Sequence, residues 1–246
     1  MGNKKAVLLL TSLLFISLII CCSDDGGSTG PEETGPEWQA ETITIPDKME
    51  ESADPMVQNA VAYLNLANAI GNYTAFLTPP DKSNSFENDF YSKEDSSWTY
   101  NWSNQELDIT LLVTKVGDIY EWTVILNGTD GEYNYDNWTF IEAETQNDNN
   151  TGNMVVYQPV TTTVLMEFYW NTDNQDVYHI TYETYGAEQV KIEIHQYPDG
   201  SGEVKFYQFD DADYVMRYKA TWNPDGSGQW WTYNENGLLV DTGSWS

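Results

Sequence analysis

From position 97 to position 246 apolar and polar residues alternate with a period of two, in short runs rich in Val, Ile, Thr, Tyr and Trp. Leu107, Ile109, Leu111 and Val113 alternate with Asp108, Thr110, Leu112 and Thr114. Tyr120, Trp122, Val124 and Leu126 follow, and later Val164, Met166, Phe168 and Trp170. Successive side chains of a strand point to opposite faces, so such runs are half-buried antiparallel strands. Stretches rich in turn formers separate them, among them Val116-Gly117-Asp118 and Tyr197-Pro198-Asp199-Gly200-Ser201-Gly202. Roughly ten to twelve strands fit at ordinary strand and turn lengths. One segment keeps the helical period instead. Asp54 is a helix cap, Pro55 suits the first turn, Gly71 is a stop, and Val57, Ala60, Val61, Leu64 and Ala67 form one stripe, widened by Met56, Tyr63 and Ile70. The predicted class is mainly β: a single antiparallel meander forming a barrel or strongly curved sheet, with one N-terminal helix packed on or into it.

The meander repeats itself. The stretches that start at Pro198 and Pro224 both open Pro-Asp-Gly-Ser-Gly, place a tyrosine five residues after the last glycine (Tyr207, Tyr233), and end in a tryptophan (Trp222, Trp245). An earlier copy carries Gly152, Tyr157 and Trp170, and a poorer one starts at Trp170. Each unit is a turn plus two strands, and the degenerate hairpin repeats run over about residues 149–246. They resemble the Gly/Tyr/Trp-rich bacterial hairpin repeats of the membrane-occupation-and-recognition type, over the last hundred residues alone and with wider glycine spacing. No function is carried over from that resemblance.

Ahead of the helix the chain has another character. Met1 to Lys5 is short and basic, and Ala6 to Ile20 carries no charge, which is the n-region and h-region of a secretory signal. The apolar run is short for a spanning helix, which needs about 20 residues. Cys21 and Cys22, the only cysteines, follow at once. Their setting resembles the lipobox of bacterial lipoproteins, whose cysteine receives a diacylglycerol thioether and becomes the new N-terminus. Cys22 fits with Cys21 as the small residue before the cut. Cys21 is the alternative, with Leu18 upstream but bulky Ile20 before the cut. Ser23, Asp24 and Asp25 resemble the acidic export signal of surface lipoproteins in Bacteroidota. The resemblance implies an outer-membrane lipoprotein of the cell envelope, held by its N-terminal lipid, on either face of that membrane. The predicted organisation is a signal peptide at 1–21, a flexible acidic tether at 22–40 of Gly, Pro, Ser and acid, and a folded domain at 41–246.

Charge narrows the function. Ten Lys and Arg stand against 39 Asp and Glu, a formal net charge of −29. Nucleic acid is excluded as a partner, because its binding requires cations set against phosphates. Five glycosylation sequons, at Asn72, Asn101, Asn127, Asn137 and Asn149, read as Asn-rich turns in a bacterial lipoprotein.

Catalytic chemistry finds little purchase. Lipidation consumes the thiol nucleophile, and abundant acids make any carboxylate pair unspecific, so no enzyme activity, catalytic residue or cofactor is predicted. His179 and His195 fall in one hairpin. With its loop centred on Gly186, His179 lies outward opposite Glu193 with His195 diagonal to it, a weak metal-ligand set that matches no motif. The aromatic residues carry more information, with ten Trp, 17 Tyr and eight Phe. Alternation turns Val204, Phe206 and Trp230 inward and leaves Tyr207, Trp231 and Tyr233 outward beside Lys205, with Tyr157 in the equivalent place. Outward rings could stack sugar rings, or could be cross-strand pairs that hold a sheet together. Glycan or other extracellular ligand recognition through these aromatics is the expected role. The alternative is a carrier of a hydrophobic ligand or lipid, architecturally similar to periplasmic lipoprotein carriers and lipocalin-like barrels.

Overall fold

The computed structural model of the chain describes residues 36, 38, 42–69, 71–78, 92–94, 97–104, 106–148 and 150–246. The signal peptide, Cys21, Cys22 and nearly all of the tether lie outside them.

Among the described residues three helices precede the sheet: α1 (Asp47–Glu50), α2 (Pro55–Asn68) and α3 (Gly71–Leu77). The strands are β1 (Ser92–Glu94), β2 (Ser97–Asn104), β3 (Leu107–Val116), β4 (Ile119–Thr129), β5 (Asn134–Gln146), β6 (Thr151–Tyr157) and β7 (Val164–Thr172). They continue as β8 (Tyr178–Thr184), β9 (Val190–Gln196), β10 (Gly202–Asp210), β11 (Asp213–Trp222), β12 (Gly228–Tyr233) and β13 (Leu239–Trp245). All thirteen belong to one antiparallel sheet whose spatial order is the order in sequence. Among the described residues β1 and β13 do not pair, so the sheet is open rather than closed into a barrel. No helix of the described residues is long and apolar enough to cross a membrane.

The alternation expected from sequence is the one that buries. Ile109, Leu111 and Val113 of β3, Trp122, Val124 and Leu126 of β4, and Met166, Phe168 and Trp170 of β7 all lie in the core. The turn between β3 and β4 has two residues, with Gly117 at a φ of 65°, the left-handed conformation that a tight hairpin demands.

The repeat unit has a steric cause. Gly152 is cross-strand partner to Trp170, Gly202 to Trp222, Gly228 to Trp245 and Gly243 to Trp230. Each indole lies on the bare backbone of its glycine: a Cβ at Gly152 would stand 2.2 Å from Trp170, and one at Gly243 2.5 Å from Trp230. The tryptophan therefore requires the glycine, which fixes the register between the two strands. The Asp-Gly-Ser-Gly turns repeat too. Trp222 Nε1 donates to Gly200 O at 3.1 Å and Trp245 Nε1 to Gly226 O at 2.6 Å. Asp199 and Asp225 accept from the amides of Ser201 and Ser227, and the Ser227 hydroxyl, then its amide and Lys48, hold the Asp225 carboxyl down at about 2.

Helix α2 begins where expected, with the Asp54 carboxylate accepting from Met56 N at 2.8 Å. Its stripe of Val57, Ala60, Val61, Leu64 and Ala67 is buried. Tyr63 stacks on Phe206 of β10 at 4.8 Å, Tyr218 of β11 donates its hydroxyl to Met56 O at 2.6 Å, and Trp230 Nε1 donates to Asp54 at 3.1 Å. Gly71 does not end the helical region, as the sequence suggested. α2 stops at Asn68, whose amide is drawn to the chain ahead of the helices: Asn68 accepts from Ile43 N at 2.8 Å and donates to Ile43 O at 2.9 Å. Gly71 instead opens α3, whose Phe76 meets Phe140 of β5 edge-on at 5.2 Å. Trp38 corrects the expected start of the fold. Read from composition as part of the tether, it is 6% exposed and meets Trp122 of β4 and Trp170 of β7 edge-on at 5.6 and 5.1 Å.

Candidate ligand-binding face

Every second residue of the strands points away from the helices, and β8–β12 gather an unusual set there. Lys191, Glu193 and His195 come from β9, Glu203, Lys205 and Tyr207 from β10, Lys219 from β11, and Trp231 and Tyr233 from β12. The ladder aligns Trp231 with Lys219, Lys219 with Lys205, Lys205 with Glu193, Glu193 with Thr181, and Thr181 with Tyr169. That row crosses β7–β12 with an aromatic at each end, about 24 Å apart at roughly 4.8 Å per strand. Beside Tyr169, which is 44% exposed, a depression of about 240 Å³ is lined by Glu167, Tyr169, Thr181 and Glu183.

Carboxylates knit this face. Glu203 lies 2.7 Å from Lys205, 3.1 Å from Lys219 and 3.0 Å from His195 Nδ1. Two like charges directly opposite on a ladder repel, and Glu203 offsets that cost for Lys205 and Lys219. Burial raises the Glu203 carboxyl, yet the two ammonium groups outweigh it and hold it below the usual range. Glu193 behaves alike: burial raises it, while Lys191 at 2.9 Å and the Tyr207 hydroxyl, which donates at 2.8 Å, bring it below. The Tyr207 phenol is in turn pushed up, first by burial and then by Glu193. The lysines also lie over rings: Lys191 is 4.6 Å from the Tyr207 centroid and 5.2 Å from Tyr214, and Lys219 is 5.6 Å from Trp231, distances at which the ring quadrupole attracts a cation. Arg217, the only arginine of the chain, is the extra residue where the β10–β11 register shifts. Its Nε is buried without an acceptor among the described residues.

Of the proposed aromatics, Tyr207, Trp231 and Tyr233 share this face and are half-buried. Tyr157 does not join them. It sits on β6, four strands from Tyr207, and donates its hydroxyl to Glu142, which with burial pushes the phenol up to about 12. The histidine pairing needs correction: the hairpin loop centres one position beyond Gly186, so His179 faces His195 and Glu193 faces Thr181. The two imidazoles meet edge-on at 4.5 Å. Each has its own carboxylate, Asp173 at 3.1 Å from His179 Nε2 and Glu203 for His195. Burial, then the neighbouring His179, lowers the His195 pKa. Among the described residues no group of three or more His, Cys, Asp or Glu is arranged to hold a metal ion.

Sequence reasoning missed Tyr169, Tyr185 and Tyr214 on the outer face. Tyr169 was legible, since Phe168 and Trp170 on either side were already assigned inward. Tyr185, whose hydroxyl donates to Glu167 and Glu183 at 2.9 and 2.8 Å, follows a strand end where alternation gives no direction. No protein-family model matches the chain, and no curated protein is significantly similar to it.

Proposed function

We propose that the chain is a lipid-anchored protein of the cell envelope that binds an extended glycan on the outer face of an open, strongly curved sheet. Curvature is supported by the reach of the N-terminal segment: Trp38 touches both β4 and β7, α3 packs by β5, and α2 packs on β10 and β11. A flat sheet, at about 4.8 Å per strand, would spread those contacts too widely for one short segment. The anchor at Cys22 and the placement at the outer membrane rest on the leader, which lies outside the described residues.

One observation carries the binding role: Trp231 and Tyr207 are half-exposed on the same face, two strands apart, with their rings already fixed. Lys219 lies against one, and Glu193 with Lys191 holds the other. Rings held in place before binding lose little entropy when a sugar stacks on them, and the neighbouring carboxylates of Glu193 and Glu203 suit hydroxyl groups. The carrier alternative needs open volume between helix and sheet, and there Val57, Ala60 and Leu64 are fully buried while Tyr63 is stacked on Phe206.

The test is an oligosaccharide array probed with the full-length chain. Trp231→Ala and Tyr207→Ala are each expected to weaken binding by about tenfold, the worth of one good aromatic stack. Binding that survives both changes, and Tyr233→Ala as well, would overturn the proposed platform. Mass spectrometry of the native N-terminus is expected to show a diacylglycerol thioether on Cys22, and a free thiol there would remove the anchor.

A further inference from the structure

Resting on that glycan reading, we propose that the ligand is acidic: an oligosaccharide with carboxylate or sulfate groups, its charge on Lys205 and Lys219 and a sugar ring on Trp231. A chain with 39 acidic and ten basic residues repels polyanions as a whole. Any surface that takes one must locally reverse the sign. The outward positions of β9–β11 do so, with Lys191, Lys205 and Lys219 against Glu193 and Glu203. The matching positions of β4 and β5 hold Glu121, Glu142 and Glu144 and no lysine.

The lysines keep capacity for a ligand. An ammonium has three donors, and among the described residues Lys205 and Lys219 each contact one carboxylate, that of Glu203. Their side chains retain 22% and 28% of their exposure. Lys219 also lies against Trp231, so a ring stacked on the indole would bring its own substituents to the ammonium. A uronic acid offers both features, a C–H face and a carboxylate, on one ring. A neutral sugar would leave these donors to water, and a phosphatidylglycerol surface has no ring for Trp231.

Two polymer pairs separate charge from backbone: polygalacturonate against its methyl ester, and dextran sulfate against dextran. With the full-length chain in affinity gels, an acidic member is expected to bind at least about tenfold more tightly than its neutral partner. That preference is expected to shrink several-fold between low salt and about 0.15 M, where the Debye length falls to roughly 8 Å. Lys219→Gln is expected to weaken acidic binding about fivefold and Lys219→Arg to retain it, since one ion contact of this kind is worth about 1 kcal/mol or less at an exposed site. Glu203→Gln, which raises the local positive charge, is expected to strengthen it, a change of opposite sign that impaired folding would not produce. Equal binding of acidic and neutral partners overturns the acidic ligand and leaves the glycan reading in place. Absence of any sugar on the array removes both. Retention by vesicles of anionic phospholipid in place of the acidic polymers overturns the proposal in favour of a membrane surface.

Discussion

The first strands of the meander and the last ones meet the same demand by different means. In β3 and β4 the inner face is built mostly of branched aliphatic side chains, Leu111 opposite Val124 and Ile109 opposite Leu126, with one indole, Trp122, opposite Val113. In β10–β13 it is filled by indoles laid on glycines, Trp222 on Gly202, Trp245 on Gly228 and Trp230 on Gly243. The outer faces differ as well. Glu121 stands directly opposite Glu144, and Glu142 opposite Thr123, at the beginning of the sheet, whereas Glu203 gathers Lys205, Lys219 and His195 near its end. Aliphatic pairs tolerate a change of partner, provided that volume is kept. An indole over a glycine does not, because the volume of one residue occupies the place of the other's Cβ. The C-terminal hairpins thus carry their register in their side chains, and the early strands carry theirs in the pattern of alternation and the turns.

The largest expected effect separates these two kinds of packing. Trp230→Ala is expected to cost about 3–5 kcal/mol, with loss of the hydrogen bond to Asp54 included. Gly243→Ala alone is expected to cost about 1–3 kcal/mol from overpacking, since the three atoms nearest the new Cβ all belong to Trp230. The double variant should be more stable than the sum of the two losses implies, by about 1 kcal/mol or more. Chemical denaturation of the four proteins measures this coupling. Leu111→Ala with Val124→Ala in the early strands, each about 1–5 kcal/mol, is expected to show no such rescue. Equal coupling in both pairs would erase the distinction.

This contrast also explains what was legible in the sequence. Period-two alternation reported the inward set of β3, β4 and β7 because each of those strands buries one face in the core and turns the other outward. The spacing of Gly, Tyr and Trp reported the repeat, and the indole-on-glycine contact is the physical reason why the spacing recurs. Four things were not legible. The end of α2 was assigned to Gly71, but the helix stops at Asn68, whose side chain holds Ile43, a contact across 25 positions that no local signal encodes. Trp38 stood in a stretch whose composition says tether, and one ring among polar residues gives no period to read. The hairpin at His179 and His195 had a five-residue loop whose centre could move by one, and each such move shifts every cross-strand pair. The aromatics of the outer face were readable one by one. That lysines lie against them was not, because it depends on the register of four strands at once.

The outer faces supply the next effect. Glu203→Gln leaves Lys205 and Lys219 opposite each other with their bridging charge removed, and is expected to cost about 1.5–3 kcal/mol, the range for hydrogen bonds to charged groups. Its pH signature has a definite sign. The folded pKa of Glu203 lies below the ordinary 4.5, so its contribution is complete above that value and is lost as pH falls through the lower folded value. His195 acts in the same direction from a higher starting point. Its folded pKa lies below the ordinary 6.5, so the unfolded chain takes up the proton first, and stability declines as pH drops below 6.5. Denaturation midpoints of the native chain should therefore fall in two stages on acidification. Glu203→Gln should flatten the lower stage, and His195→Gln the upper one. A midpoint that is constant from pH 7 to pH 5 in the native chain would contradict the environment assigned to His195.

The smallest effect tests whether the early strands are short of cations or simply indifferent to them. Glu121 and Glu144 are both exposed and directly opposite, so each pays a repulsion that water and salt reduce. Glu121→Lys turns the pair into an attractive one and is expected to raise stability by about 0.2–1 kcal/mol, the worth of an opposite-charge cross-strand pair. The gain should shrink as salt is raised, because the charges are exposed and screening is effective at about 8–10 Å. The mirror-image change, Lys219→Glu, places a carboxylate against Glu203 and Trp231, where half-burial weakens screening, and is expected to be the costlier of the two. Were Glu121→Lys to stabilise as much as Lys219→Glu destabilises, and with the same salt dependence, the two outer faces would be electrically equivalent. The gathering of lysines on β9–β11 would then have no stability role to distinguish it from a binding one.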